Sequence, residues 1–483
     1  MDKMDDSDVL HNRRASVPSL DGFARVIVRP EVLFLLYIAA IGHAWILLSK
    51  MQVHWYGMDF SFYYTSALAM RKGLNPYTTN VMQLASRLGL HINGVPYGND
   101  PPTFLLCFEP LTLLPPKLSY WVWIACDIVA LFLSLFTLLT GRKILGRSKW
   151  AIIALIALYP PIAIHFSVAS SKVFLLLCFA LMMRCLEAEN EIIAGFCLAM
   201  AVMLRGYPLL AAGYLICRRQ WRVLFYLFVG LAIGGLITLF FCGFGVLFSF
   251  LTDAMSFLTG GEMIPFPSNL AIYAFISRQF WVFGNSPVFV FNRVRLVLVL
   301  TAQIAVLGAS VMATVKNASR PDRNWRAFCL WLITAIVLSP IGYMHDMVLV
   351  IPLMIQLVIA ARSGDVSRRA IWLAIASYLV PAVMGAVAVT LDHFGFLAHL
   401  TPIVGVGVSR RIWLLMREFA FFSLTLAYLS AYFFTIDEGH NLEQASEGEN
   451  RKDYSHTLTQ LEALPAGLMR SSRERGLNAG PRD

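Results

Sequence analysis

Long apolar runs separated by short polar and basic stretches set the pattern of this chain. Runs of roughly 18 or more apolar residues are long enough to cross a bilayer as helices. The first is at 31–50. Further spans are expected at about 118–140, 150–165, 170–186, 191–204, 207–217, 221–242, 290–315, 326–340, 345–361, 370–391 and 411–434. The run at 103–114 is too short for a standard crossing and Pro115-Pro116 interrupts it, so it reads as a re-entrant or half-length helix. The fold class is therefore all-α: a polytopic integral membrane protein with about 11 to 13 transmembrane helices.

The polar stretches fix the orientation. Arg13, Arg14, Arg25 and Arg29 precede the first span and hold the N-terminal segment, residues 1–30, in the cytoplasm. That segment has a long polar lead and no small-residue cleavage pattern, so the first span is expected to be an uncleaved anchor. Basic clusters at Arg142–Lys149, Arg218–Arg222, Lys316–Arg326 and Arg362–Arg369 mark cytoplasmic loops. The transmembrane domain is expected over 31–435, with outer loops at 51–101 and 243–290. Residues 436–483, charged and poor in large apolar side chains, are expected to form a disordered cytoplasmic tail.

Composition agrees. The chain is 58% hydrophobic and 14% charged, against about 25% charged in a soluble domain. Its net charge of +10 lies in inter-span clusters and signals no nucleic-acid partner. The eight cysteines contain no CxxC pair, so neither a zinc site nor a disulfide framework is indicated. Walker, GxGxxG and HExxH motifs are absent, and the outer loops hold no DxD pair; no cofactor and no metal are implied.

With this topology several polar features face outward. Asp59 follows the first span, in Gly57-Met58-Asp59-Phe60-Ser61-Phe62-Tyr63-Tyr64. A carboxylate at a low-dielectric boundary can serve as a base; it can equally cap a helix. Arg205, in Arg205-Gly206-Tyr207-Pro208, breaks an apolar run and is suited to phosphate, or it snorkels from a helix end. Lys172 offers a second cation. His345 and Asp346 are adjacent and cannot share one helix face, so one could bind substrate while the other orients a neighbour. Asn269 could bond sugar hydroxyls, or cap a turn. Together with the 96–102 segment these features would meet at one interface, where a lipid-borne headgroup would lie.

The ordered set of motifs resembles the bacterial polyprenyl-phosphate-mannose-dependent mannosyltransferases of glycosyltransferase family 87, within the GT-C superfamily. The resemblance spans roughly residues 30–435. It is carried by Met58-Asp59-Phe60 with Tyr63-Tyr64, Gly73-Leu74-Asn75-Pro76-Tyr77, and Tyr97…Pro101-Pro102-Thr103-Phe104 leading to Glu109-Pro110-Leu111-Thr112-Leu113-Leu114-Pro115. Asn269-Leu270-Ala271-Ile272-Tyr273 and Ser339-Pro340…Tyr343…His345-Asp346 complete it. It implies an inverting transfer of a sugar from a polyprenyl-phosphate donor to a glycan or glycolipid acceptor hydroxyl, at the outer face of a bacterial inner membrane. By that resemblance Asp59 is the base, Arg205 holds the donor phosphate, and His345 lines the donor or acceptor pocket. Asp346, Asn269, Lys172, Tyr63 and Tyr64 are expected to bind substrate. Two family features differ: Ser171-Lys172 stands where the family often has Gly-Gln, and Arg205-Gly206-Tyr207-Pro208 replaces a lysine–proline pattern. Two other readings stay open, a transporter or flippase for a lipid-linked saccharide and a non-catalytic scaffold of envelope assembly.

Overall fold

The computed structural model describes residues 29–436, apart from 54–56, 91, 93–95, 142–145, 255–268, 283–287, 290–292, 319–323, 364–365 and 394–417. The N-terminal segment before residue 29 and the tail after 436 lie outside the described residues.

The chain begins with α1 (Pro30–Val53). The stretch expected to be the first outer loop carries α2 (Met58–Arg71) and the short α3 (Val81–Arg87), which Asn80 caps by accepting from the Gln83 amide at 3.1 Å. The ambiguous 103–114 run resolves into α4 (Pro102–Phe108) and a 3-10 turn over Glu109–Leu113. It is too short to cross alone. Then come α5 (Pro116–Leu139), α6 (Gly146–Ala157), α7 (Pro160–Val168), α8 (Lys172–Glu187) and α9 (Glu191–Leu204). Proline opens α4, α5 and α7, where the first turn needs no amide donor. Asn190 caps α9 through the Ile193 amide at 3.1 Å.

Helix α9 stops at Arg205, whose backbone is extended (φ −153°, ψ 134°). Pro208 cannot continue an α-helical ladder, and a 3-10 turn over Tyr207–Ala211 leads into α10 (Ala212–Cys217). Next are α11 (Trp221–Ser249), α12 (Ile272–Gln279), α13 (Arg293–Lys316) and α14 (Asn324–Leu338). A 3-10 segment, Met344–Val350, feeds α15 (Ile351–Ser363), followed by α16 (Arg368–His393) and α17 (Phe419–Ile436). The only strands among the described residues are β1 (Trp281–Val282) and β2 (Val288–Phe289), an antiparallel pair with Trp281 opposite Phe289. The expected outer loop at 243–290 is thus partly structured: α11 runs on to Ser249 across a kink at Gly243 (φ 79°), and α12 lies within it.

Among the described residues six helices are long and apolar enough to cross a membrane by themselves: Pro30–Ser49, Pro116–Leu139, Trp221–Asp253, Arg293–Lys316, Met344–Ala361 and Phe419–Ile436. A seventh arises if Ser148–Ala157 and Pro160–Val168, bent by 51°, count as one span. Three other expected spans are present as shorter apolar helices, Glu191–Leu204, Tyr207–Cys217 and Asn324–Leu338, while those expected at 170–186 and 370–391 are helices α8 and α16, outside the six. Breaks at Arg205 and in Ser339–Tyr343 shorten the three. Helices α9 and α11 pack closely. A side chain at Gly195 would meet the Val223 carbonyl at 2.7 Å, and one at Gly230 would meet Ala199 Cβ at 2.6 Å, so small residues let these backbones approach. Large apolar side chains stay exposed on α1 and α11, such as Trp45 and Phe240. Such a surface is suited to lipid.

Candidate active site

Asp59 lies in the first turn of α2, and Tyr63 follows it on the same helix face. The Tyr63 hydroxyl donates to Asp59 Oδ2 at 3.3 Å and sits 3.4 Å from Ser171 Oγ. It also accepts from Arg205 Nη2 at 2.5 Å. Its ring is fixed edge-on by Phe104, Phe108 and Trp123, at centroid distances of 4.8, 5.8 and 6.1 Å. Burial pushes the Tyr63 hydroxyl pKa up, so it stays protonated and donates.

Arg205 reaches this point because α9 has ended and the extended backbone turns its side chain inward. The guanidinium pairs with Asp100 through Nη1 and Oδ1, and it stands 5.4 Å above the Tyr63 ring. Asp100 is fully buried in front of α4, and its carbonyl accepts from the Tyr77 hydroxyl at 2.7 Å. Burial pushes the Asp100 carboxyl above its ordinary range, with the Arg205 charge opposing.

The second half of the site comes from α8 and the Met344–Val350 segment. Lys172 Nζ lies 2.6 Å from Asp346 Oδ1. The same oxygen accepts from the Tyr207 hydroxyl at 2.9 Å, and Oδ2 accepts from the Tyr343 amide at 2.7 Å. Asp346 thereby caps its own 3-10 segment. His345 faces the other way. Consecutive residues of a 3-10 helix point about 120° apart, so His345 looks to Asp59 while Asp346 looks to Lys172 and Tyr207. His345 Nε2 lies 3.6 Å from Asp59 Oδ2, within ion-pair range and longer than a hydrogen bond. Its ring stacks on Tyr343 at 5.4 Å.

Six of the residues expected from sequence thus meet: Asp59, Tyr63, Lys172, Arg205, His345 and Asp346. Their side-chain exposures tell them apart. Asp59 and Arg205 are 17% and 18% exposed, against 8% for His345, 5% for Lys172 and 1% for Asp346. The charged groups most open to an incoming molecule are therefore one carboxylate and one guanidinium.

Two expected residues stand elsewhere. Tyr64 points away from Tyr63 and donates to the Leu114 carbonyl at 2.9 Å. Asn269 binds backbone: its Oδ1 accepts from the amides of Ala271 (3.1 Å) and Gly342 (3.0 Å), and its Nδ2 donates to the Pro340 carbonyl at 3.1 Å. It braces the turn that precedes His345. Sequence reasoning singled out the 96–102 segment but not Asp100 within it, and it did not assign Tyr207 or Tyr343 a part. The available signal was an ionisable residue just before a proline-led helix. Among the described residues no group of three histidine, cysteine or acidic side chains is placed to hold a metal ion.

Residues 100–340 match the sequence model of Glycosyltransferase family 87. This stretch belongs to glycosyltransferase family 87. The protein is accordingly a membrane glycosyltransferase. The family 87 region supplies Asp100, Ser171, Lys172, Arg205 and Tyr207, whereas Asp59, Tyr63, His345 and Asp346 come from the flanking chain on either side. Among solved structures, ArnT from Cupriavidus metallidurans bound to undecaprenyl phosphate is similar at 16% identity, covering 84% of this chain and 78% of its own, with a TM-score of 0.34. That likeness is too low to carry residues across. No curated protein matches the chain.

Proposed function

We propose that this glycosyltransferase moves a sugar of mannose type from a polyprenyl-phosphate donor to an acceptor hydroxyl on a glycan or glycolipid, at the outer face of the inner membrane. Asp59 takes the proton of the acceptor hydroxyl. The acceptor oxygen forms a bond to the anomeric carbon as the bond from that carbon to the phosphate oxygen breaks, with inversion. The polyprenyl phosphate leaves with the electron pair. Arg205 stabilises the charge that develops on it, so a cation replaces a protonated acid at the leaving group. Tyr63 and His345 hold Asp59 from two directions. Lys172, tied to Asp346, adds positive potential behind the phosphate.

The observation that carries this reading is the pairing of Asp59 with Arg205 as the more open charged groups of the cluster. They sit on either side of one tyrosine hydroxyl. A base and a phosphate-binding cation at that separation suit a reacting carbon held between a hydroxyl and a phosphate. A donor already in the membrane also suits a chain without a nucleotide-binding motif.

The test is transfer from radiolabelled polyprenyl-phosphate-mannose to endogenous acceptors in membranes that contain or lack the protein. Protein-dependent label in a new covalent product supports the proposal. Label that changes leaflet without a new bond would point to a flippase. No movement of label with any polyprenyl-phosphate sugar would favour the scaffold reading.

A further inference from the structure

A second pair of ionisable residues lies outside the cluster just described. Asp127 on α5 and His165 on α7 approach to 3.2 Å, Oδ2 to Nε2, with both side chains fully buried. Their remaining polar atoms, Asp127 Oδ1 and His165 Nδ1, are buried without a hydrogen-bond partner. Ionisable groups at membrane depth are costly and are retained where they serve a function. Neither side chain makes a hydrogen bond or ion pair to the cluster around Tyr63, so a role would run through what they hold.

What they hold is the end of α7. The His165 carbonyl accepts from the Ser170 amide at 3.2 Å, and Ala169 turns the chain in a left-handed conformation (φ 52°). Helix α5 grips this turn a second time, one turn before Asp127, where Trp123 Nε1 donates to the Ala169 carbonyl at 3.0 Å. The turn then meets the cluster at three places. A side chain at Gly57, two residues before Asp59, would lie 2.5 Å from the Val168 carbonyl oxygen and 2.8 Å from Ala169 Cβ. The two backbones therefore touch, and glycine alone permits it. Ser171 meets the Tyr63 hydroxyl, and Lys172 meets Asp346. Helix α7 also packs on both α2 and the Met344–Val350 segment.

We propose that Asp127 and His165 are positioning residues. By fixing the end of α7 they hold the 168–172 turn against Gly57, Tyr63 and Asp346, and so set the place of Asp59 relative to the donor. The proposal rests on Asp59 as the base. A displacement of the base by about 1 Å is enough to cost on the order of 10²-fold in rate.

The test uses the full-length protein in lipid nanodiscs and has two arms. Hydrogen–deuterium exchange, without substrate, compares wild type with His165→Ala. Peptides covering 57–64 and 168–174 should exchange about tenfold faster in the variant, while α14 keeps its protection. In the transfer assay, kcat per folded molecule should fall by about 10²-fold with donor KM little changed. Restoring a hydrogen-bonding side chain with His165→Gln should recover part of the loss. Should His165→Ala not fold, Trp123→Phe, which removes the bond to Ala169 and also trims the ring packed on Tyr63, is read by exchange alone, with faster exchange expected at 168–174. Unchanged exchange at 57–64 would overturn the proposal, as would an unchanged kcat or a loss confined to donor KM. If wild type does not use the lipid-linked donor, the reading of the function fails, and the exchange arm still decides whether the pair holds the turn.

Discussion

Asp59 and Arg205 meet at one atom, the hydroxyl oxygen of Tyr63, which accepts from the guanidinium at 2.5 Å and donates to the carboxylate at 3.3 Å. A single side chain therefore sets the spacing between the proposed base and the proposed phosphate site. Tyr63→Phe keeps the ring and its packing on Phe104 and removes this link together with the contact to Ser171. Hydrogen bonds to charged groups contribute about 1.5–3 kcal/mol, so kcat/KM should drop by roughly ten- to a hundredfold. Thermal stability should barely change. Steady-state transfer kinetics at matched folded protein check this, and an unchanged kcat/KM would show that the spacing does not depend on the hydroxyl.

The Lys172–Asp346 pair is almost wholly buried, so its members depend on each other. Removing one partner leaves a charge with no counter-ion, which typically costs 3–5 kcal/mol. Lys172→Met alone should therefore lower the unfolding midpoint strongly. The double change Lys172→Met with Asp346→Asn should recover much of that loss, and it should recover no activity. Thermal unfolding of the four members of this cycle measures the coupling. Additive losses would mean that the two groups act independently.

Acid pH reads the buried Asp100. Because burial raises its carboxyl pKa, folding favours the protonated form. The contribution is fully present below the unfolded-state value, about pH 4, and is lost as pH rises through the raised folded value. Asp100→Asn is neutral throughout. The stability of wild type relative to Asp100→Asn should thus fall as pH rises from about 4, then level off once Asp100 is ionised. Denaturation midpoints across this range test the sign. A difference that grows with pH would mean that the Arg205 charge outweighs burial.

Much of this site was legible in the sequence because an ionisable residue in an apolar chain stands out. Asp59, Lys172, Arg205, His345 and Asp346 each sit where an apolar run breaks, and the structure brings them together. The limits are equally physical. Tyr63 and Tyr64 looked alike, but neighbours on an α-helix point about 100° apart, so only one can face Asp59. Asn269 carries the polar groups to bind a sugar, yet it spends them on backbone, which local sequence does not decide. Asp100 reads as part of a turn in Asn99-Asp100-Pro101-Pro102; its partner is far along the chain. Asp127 and His165 lie inside apolar stretches, and only packing places them side by side. The span pattern carried over as helical segments, whereas the shortness of several reflects breaks at Arg205 and near Pro340 that periodicity locates only coarsely.

The most direct measurement is single-turnover transfer from polyprenyl-phosphate-mannose by purified wild type and Asp59→Asn in nanodiscs, with donor binding measured on the same samples. The account predicts that both bind donor with similar affinity, that wild type transfers the sugar with inversion, and that the variant loses at least about 10²-fold in rate. Equal transfer by the two proteins would contradict it, because the carboxylate at the centre of the cluster would then take no part in the chemistry.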